Sequence, residues 1–296
     1  MSFHNKALKY RIRGLGILLF ILSPLSGFTQ VKKDSLFLQY LINKDQQRDI
    51  VTLLSEFQKK YEDSTQHLLE LPYWKGLAYY SLRNLDSSAH YFSKVHPNSI
   101  NYNKSLFWAG ISYSYLQQTQ QAYTTILSVN TNDSIGIATK TFELAGIALL
   151  RRNFKDYDSL SHHFSTQYYP LQKQQSNFKD YQEMIRQQQR KSPFKAALLS
   201  AILPGSGKIY VGKQLGQGIS TFIQNAILGL QAYEGYRKDG AASPRFIIFG
   251  SLFTLFYIGN IWGSAVSVGV KRQEFNDKIN EQILFDMHIP LRTIFN

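Results

Sequence analysis

Residues 246–270 carry no charged side chain over 25 consecutive positions, and no other feature limits the fold of this chain so sharply. As a helix the run would reach about 37 Å, enough to cross a bilayer with some tilt. In lipid the backbone polar groups must be satisfied within the protein, so a helix is the conformation open to it. Arg245 precedes the run, and Lys271 and Arg272 follow it. Gly259 and Gly263 stand four apart with Ser267 one turn on, a small-residue spacing that lets membrane helices approach closely. These glycines are expected to pack helix on helix, and they offer a route to homo-oligomers through the membrane helices.

A weaker apolar stretch covers residues 216–236 and contains Gln217, Gln224, Asn225, Gln231 and Glu234. Such groups are costly in lipid unless they face another helix. The stretch therefore predicts the first arm of a transmembrane hairpin that turns at Lys238, Asp239 and Gly240. Ahead of it, residues 196–203 form an apolar element of only eight residues, too short to span, which reads as re-entrant or interfacial. It runs into Pro204, Gly205, Ser206, Gly207, Lys208, Ile209, Tyr210, Val211 and Gly212. The pattern of Pro204, Gly205, Gly207, Tyr210 and Gly212 resembles the turn signature of small bacterial membrane domains of the TM2-like type. Lys208 stands where that signature has Gln. The resemblance covers about residues 193–275 and implies membrane location and little chemistry. Read from the residues alone, Pro204 and the glycines shape a tight turn. A phosphate-loop reading fails, because Ile202 and Ile209 stand where the motif needs Gly and Ser or Thr.

At the other end, Lys6, Lys9, Arg11 and Arg13 precede the apolar residues 15–22, followed by Ser23, Pro24, Ser26 and Gly27. This is the layout of a secretory signal over residues 1–29, either cleaved before Gln30 or retained as an anchor. In both cases the next domain is exported.

The middle of the chain repeats itself. Gly76, Gly110 and Gly146 sit in matching segments that begin at Trp74, Trp108 and Leu144. The glycines are 34 and 36 residues apart. Phe92 and Ile126 each follow their glycine by sixteen residues, and Ala122 follows Gly110 by twelve. Small and large residues at those offsets fit the contacts between two helices of one hairpin. On these residues the region 33–165 resembles the tetratricopeptide (TPR) family, with Ser88 and Asp158 departing from its small residue. The resemblance implies an all-α, TPR-like helical-hairpin solenoid over residues 30–170, followed by the helical transmembrane hairpin. Helices are predicted near 34–43, 46–60, 72–83, 86–95, 101–117, 119–129, 134–151 and 154–165, with breaks at Pro72, Pro97 and residues 130–133. A Gln-rich connecting helix is predicted over 171–192, with Leu171, Phe178, Tyr181 and Ile185 on one face; it either packs on the last repeat or stands in solvent. Residues 273–296 read as an amphipathic tail beyond the membrane domain of 193–272.

Composition narrows the function classes. The chain has no cysteine, which removes disulfides and thiol chemistry. Its net charge of +13 is concentrated at the ends: residues 1–29 hold four basic groups and no acid, while residues 30–190 hold 18 basic and 14 acidic. Without a basic stripe, anionic lipid head groups explain the excess better than nucleic acid. The seven histidines include no metal-binding spacing, and His162 and His163 point about 100° apart on a helix. No base-plus-nucleophile set of residues is visible, so an enzyme is not expected, nor a cofactor or a metal.

The expected function is a membrane-anchored protein–protein interaction scaffold of the bacterial cell envelope, in the inner membrane with its repeats in the periplasm. The alternative is a component of an envelope assembly or transport machine, with the membrane domain active through Gln224, Asn225 and Asn260. The TPR resemblance implies groove positions for an unidentified protein or peptide at Tyr73, Leu77, Tyr80, Lys104, Phe107, Ile111, Tyr115, Lys140 and Ile147. Packing against the neighbouring repeat is the other reading of these residues.

Overall fold

The computed structural model describes residues 36–37, 40–41, 44, 47–60, 69–212 and 215–295. The export signal of residues 1–29 lies outside them. The protein is all-α, with no strand among the described residues. Twelve helices are described here: α1 (Gln47–Lys60), α2 (Leu71–Ser81), α3 (Leu85–Ser93), α4 (Tyr102–Tyr115), α5 (Thr119–Leu127), α6 (Ser134–Leu150), α7 (Phe154–Ser161), α8 (Tyr169–Gln189), α9 (Pro193–Ile202), α10 (Ser206–Gly212), α11 (Leu215–Asp239) and α12 (Pro244–Phe295). They fall into two units. One contains the described residues up to Leu171 together with Met287–Asn296, and the other is Gln172–Asp286.

In the first unit each helix packs on the next from α1 to α7, and α2 also meets α4. Helical hairpins α2/α3, α4/α5 and α6/α7 recur with the same turn. Arg83, Gln117 and Arg152 take left-handed φ values of 59°, 60° and 58°. After each, an amide reaches back over the helix end: Asn84 to Tyr79 O, Gln118 to Tyr113 O and Asn153 to Ala148 O, all at 2.9 Å. This bond pattern closes the carbonyls a helix leaves open at its C-terminus. Asn84 and Asn153 then cap the following helix, their side-chain oxygens accepting from Ser87 N and Asp156 N at 3.2 Å. Asp133 caps α6 through Gly136 N at 3.1 Å. The glycines explain the tight hairpins. A Cβ at Gly76 would stand 2.6 Å from the Phe92 ring, and one at Gly110 would run into Ile126. Ser88, where the repeat pattern has a small residue, is fully buried and donates to Gly76 O at 3.0 Å. The hydroxyl is accommodated because the close-packed glycine carbonyl accepts it.

In the second unit α9 and α10 form a short hairpin against α12, with Ala196, Val211 and Val268 in one apolar cluster. Helices α11 and α12 make a longer hairpin. Arg245 donates to Gln231 Oε1 at 2.7 Å and to Glu234 Oε2 at 2.8 Å, and Tyr236 lies on Phe246 at 5.5 Å. The connecting helix α8 belongs to this unit from Gln172 on, with Phe178 and Ile185 buried. Asn177 and Tyr181 donate to Asp286 Oδ2 at 2.9 and 2.8 Å.

Three expectations need adjustment. First, among the described residues α12 is the helix long and apolar enough to cross a membrane; its most apolar window has mean hydropathy 1.6 and is only 6% buried, unlike a core helix. Helix α11 is long enough, but the polar residues noted above keep it short of that apolarity. Second, residues 273–295 are helical and continuous with the apolar run of α12. Helix α12 continues for 52 residues with Pro290 inside it, because no glycine or proline interrupts residues 271–289. Third, among the described residues Gly259 and Gly263 have no heavy atom of another part of the chain within 4 Å of where a Cβ would be. The packed face of α12 carries Asn260, Ser264 and Val268 instead. One residue along a helix is a rotation of about 100°, which turns the glycines away.

Candidate functional site: one aromatic face of the hairpin array

Tyr80 at the end of α2 and Trp108 in α4 bring their rings within 4.9 Å, edge to face. The imidazole of His288 stacks on Tyr80 at 5.6 Å and meets Trp108 at 5.9 Å. The Tyr80 hydroxyl and His288 Nδ1 are 2.7 Å apart. Seven residues further along the same helix, the Phe295 ring lies 5.3 Å from Phe107. Met287, just before His288, and Leu291, between the two rings, are fully buried. The last turns of α12 therefore lie against the face the array presents through α2 and α4, and all of these residues belong to the first unit.

Burial sets the protonation of this face. It raises the Tyr80 hydroxyl well above its ordinary value, with Tyr115 and Glu143 adding to the effect. Burial lowers His288, helped by the positive charge of Arg292. The phenol thus keeps its proton and the imidazole is favoured neutral, leaving Nδ1 to accept from Tyr80. Glu143 is the other notable group. It is 0% exposed, and among the described residues neither of its carboxylate oxygens has a hydrogen-bond partner. Burial raises its pKa well above the ordinary carboxylate value, and its field reaches Tyr80 and Tyr115. What the arrangement can do chemically is hold a helix: aromatic rings supply contact area, and one polar pair fixes the register.

The nine expected groove positions divide. Tyr73, Phe107, Ile111 and Ile147 are buried. Leu77, Tyr80, Lys104, Tyr115 and Lys140 are half-buried. Lys140 is committed within the fold, its Nζ donating to Val129 O at 2.7 Å. An open groove is not what the array presents at Tyr80 and Phe107, because the chain's own C-terminal turns lie there. Packing explains the buried four: residues on this side of a hairpin also fill the space to its neighbour. His288, Phe295 and Glu143 were not anticipated. A signal existed for Glu143, which precedes Gly146 by three residues as Tyr73 precedes Gly76 and Phe107 precedes Gly110. For the C-terminal turns the signal was the apolar spacing of Leu284, Met287, Leu291 and Phe295.

The turn at Pro204 forms a second organised region. Gly205 adopts φ +87° and lies so close to Gly218 that a side chain would strike its carbonyl. Asn260 holds the turn from α12, accepting from Gly205 N at 3.2 Å and donating to Ser200 O at 3.3 Å. Ser200 and Ser264 share a hydrogen bond of 2.7 Å, and Gly207 N donates to Ser200 Oγ at 3.1 Å. The Tyr257 hydroxyl donates to Ala201 O. Tyr210 accepts from Ser192 N at 3.1 Å, and a Cβ at Gly212 would meet no atom of the described residues within 4 Å. Asn225 is buried on α11, and among the described residues its Oδ1 has no hydrogen-bond partner. Among the described residues no group of histidine and acidic side chains could hold a metal ion. Comparison with family models, curated proteins and solved structures finds no match to this chain.

Proposed function

We propose that the chain is a membrane-anchored protein–protein interaction scaffold of the bacterial cell envelope. On this reading TPR-like repeats stand in the periplasm, and a TM2-like hairpin of α11 and α12 anchors them in the inner membrane. The observation that carries it is the aromatic face of Tyr80, Phe107 and Trp108, which holds a helix by its rings and one hydrogen bond. A surface able to hold one helix suits a partner helix. The apolar α12 supports the anchor, and the cationic N-terminus supports export. Copies of the chain would associate through the open face at Gly259 and Gly263.

A second reading, in which the membrane domain acts in assembly or transport, is favoured by Asn225. An amide oxygen buried and unpaired in a membrane helix is costly to keep without a use.

Topology reporters test the proposal: a periplasm-active phosphatase and a cytoplasm-active fluorescent protein, each fused after Gln189 and at Asn296. The expected result is periplasmic activity at both points. Cytoplasmic activity at Gln189 would sink the export reading, and activity on opposite sides at the two points would sink the hairpin.

A further inference from the structure

We infer that the face built by Tyr80, Phe107 and Trp108 is an amphipathic-helix site whose resident occupant is the chain's own residues 287–295, and that a partner helix of the same pattern binds by displacing them. The inference rests on the scaffold reading and names its ligand class and its control. The occupant is visible. It is helical, buries Met287 and Leu291 completely, and places His288 and Phe295 on the aromatic wall.

The segment is also set up to part from the helix that carries it. Pro290 has no N–H, so the backbone bond that would tie it to the carbonyl of Asp286 is missing. That gap falls at the boundary between the units, which lies after Asp286. Just before the gap, the Asp286 carboxylate is held by Asn177 and Tyr181. Just after it, His288 is held by Tyr80. The anchors of α12 thus change from one unit to the other across a single turn whose hydrogen-bond ladder is already broken. Releasing residues 287–295 leaves the Asp286 anchor in place.

The ligand pattern follows from the occupant. A competing helix needs apolar residues at the spacing of Met287 and Leu291, a hydrogen-bond acceptor at the position of His288 and an aromatic at that of Phe295. Tethering gives the resident segment an effective concentration near the millimolar range, so a free peptide of equal intrinsic affinity binds the intact chain poorly.

The test uses the full chain in detergent and a fluorescent peptide copying residues 284–296. The chain carrying His288→Ala and Phe295→Ala, whose own segment is weakened, is expected to bind the peptide at least tenfold more tightly than the unmodified chain. A peptide with alanine at both matching positions should bind neither. Equal binding to both chains would show that the segment does not occlude the site. No binding to a variant that melts like the unmodified chain would show that the face is not a helix site. Should the double variant unfold, Thr293→Cys supplies the chain's sole thiol at an exposed position. A dye there should gain mobility as unlabelled peptide displaces the segment from a chain carrying His288→Ala alone, and unchanged mobility at saturating peptide would refute the proposal. Peptide binding to the released chain, combined with cytoplasmic activity of the Gln189 reporter, would refute the envelope scaffold reading and leave the helix site standing.

Discussion

Replacing Gly76 with alanine puts the hairpin packing under direct strain. Glycine costs a helix about 1 kcal/mol relative to alanine, so at an open helical position this substitution would stabilise. At Gly76 the new Cβ would stand 2.6 Å from the Phe92 ring, about 1 Å inside ordinary carbon contact. Phe92 is 1% exposed, so the ring has no free space to swing into. Overpacking of this kind costs about 1–3 kcal/mol, and a stiff buried ring belongs at the upper end. The net expectation is a loss of about 2 kcal/mol, which lowers the melting temperature of a domain this size by roughly 4–8 °C. Circular dichroism melts of the detergent-solubilised chain would read it. Adding Phe92→Leu relieves the clash, so the double variant should lie close to Phe92→Leu alone, and the cycle should return a coupling of about 2 kcal/mol. Gly110→Ala should cost less, because the nearest atoms there are the flexible end of Ile126. A Gly76→Ala chain that melts at or above the unmodified temperature would refute the packing argument.

Other predictions concern polar groups and helices α11 and α12. Glu143→Met removes a buried, unpaired carboxyl, and it should stabilise the first unit by about 1–3 kcal/mol at neutral pH. Because burial raises the Glu143 pKa in the fold, the unfolded chain releases that proton first as pH rises past the ordinary value of 4.5, and stability falls from there upward; denaturation from pH 4.5 to 8 should show Glu143→Met losing this slope. Asn260→Leu orphans Gly205 N and Ser200 O at the Pro204 turn, and it should lower stability by about 2–4 kcal/mol in detergent unfolding, whereas Asn225→Leu should be neutral or stabilising. Gly259→Ile with Gly263→Ile should leave the melting temperature unchanged and reduce any dimer measured by analytical ultracentrifugation, since among the described residues neither position touches another part of the chain.

Much of the fold was legible because local rules decided it. The recurrence of glycine at residues 76, 110 and 146 marked the hairpins, and Phe92 and Ile126 lie where the sixteen-residue offset put them. Proline and the Asn and Asp caps placed the helix breaks to within a few residues. The left-handed turns at Arg83, Gln117 and Arg152 were not legible, because no glycine marks them and side chains take that conformation only where the surrounding bonds hold it. Helical period was also insufficient on α12. It identified Gly259 and Gly263 as small neighbours, but one residue of rotation decides whether Asn260 or Gly259 meets the next helix, and tertiary packing sets that rotation. The aromatic face was half legible. Its wall at Tyr80 and Phe107 followed from the repeat register, while its occupant lies about two hundred residues away in sequence, so the apolar spacing of the C-terminal turns marks a helix face without saying what it meets.

The central claim is that the aromatic face holds the end of the same chain. Replacing Phe295 by a photoreactive benzophenone amino acid in native membranes, then irradiating, digesting and sequencing the cross-linked peptides, tests it most directly. The account predicts an intrachain link from position 295 to α4 around Phe107. A label found only on lipid, on other proteins or on another part of the chain would contradict it.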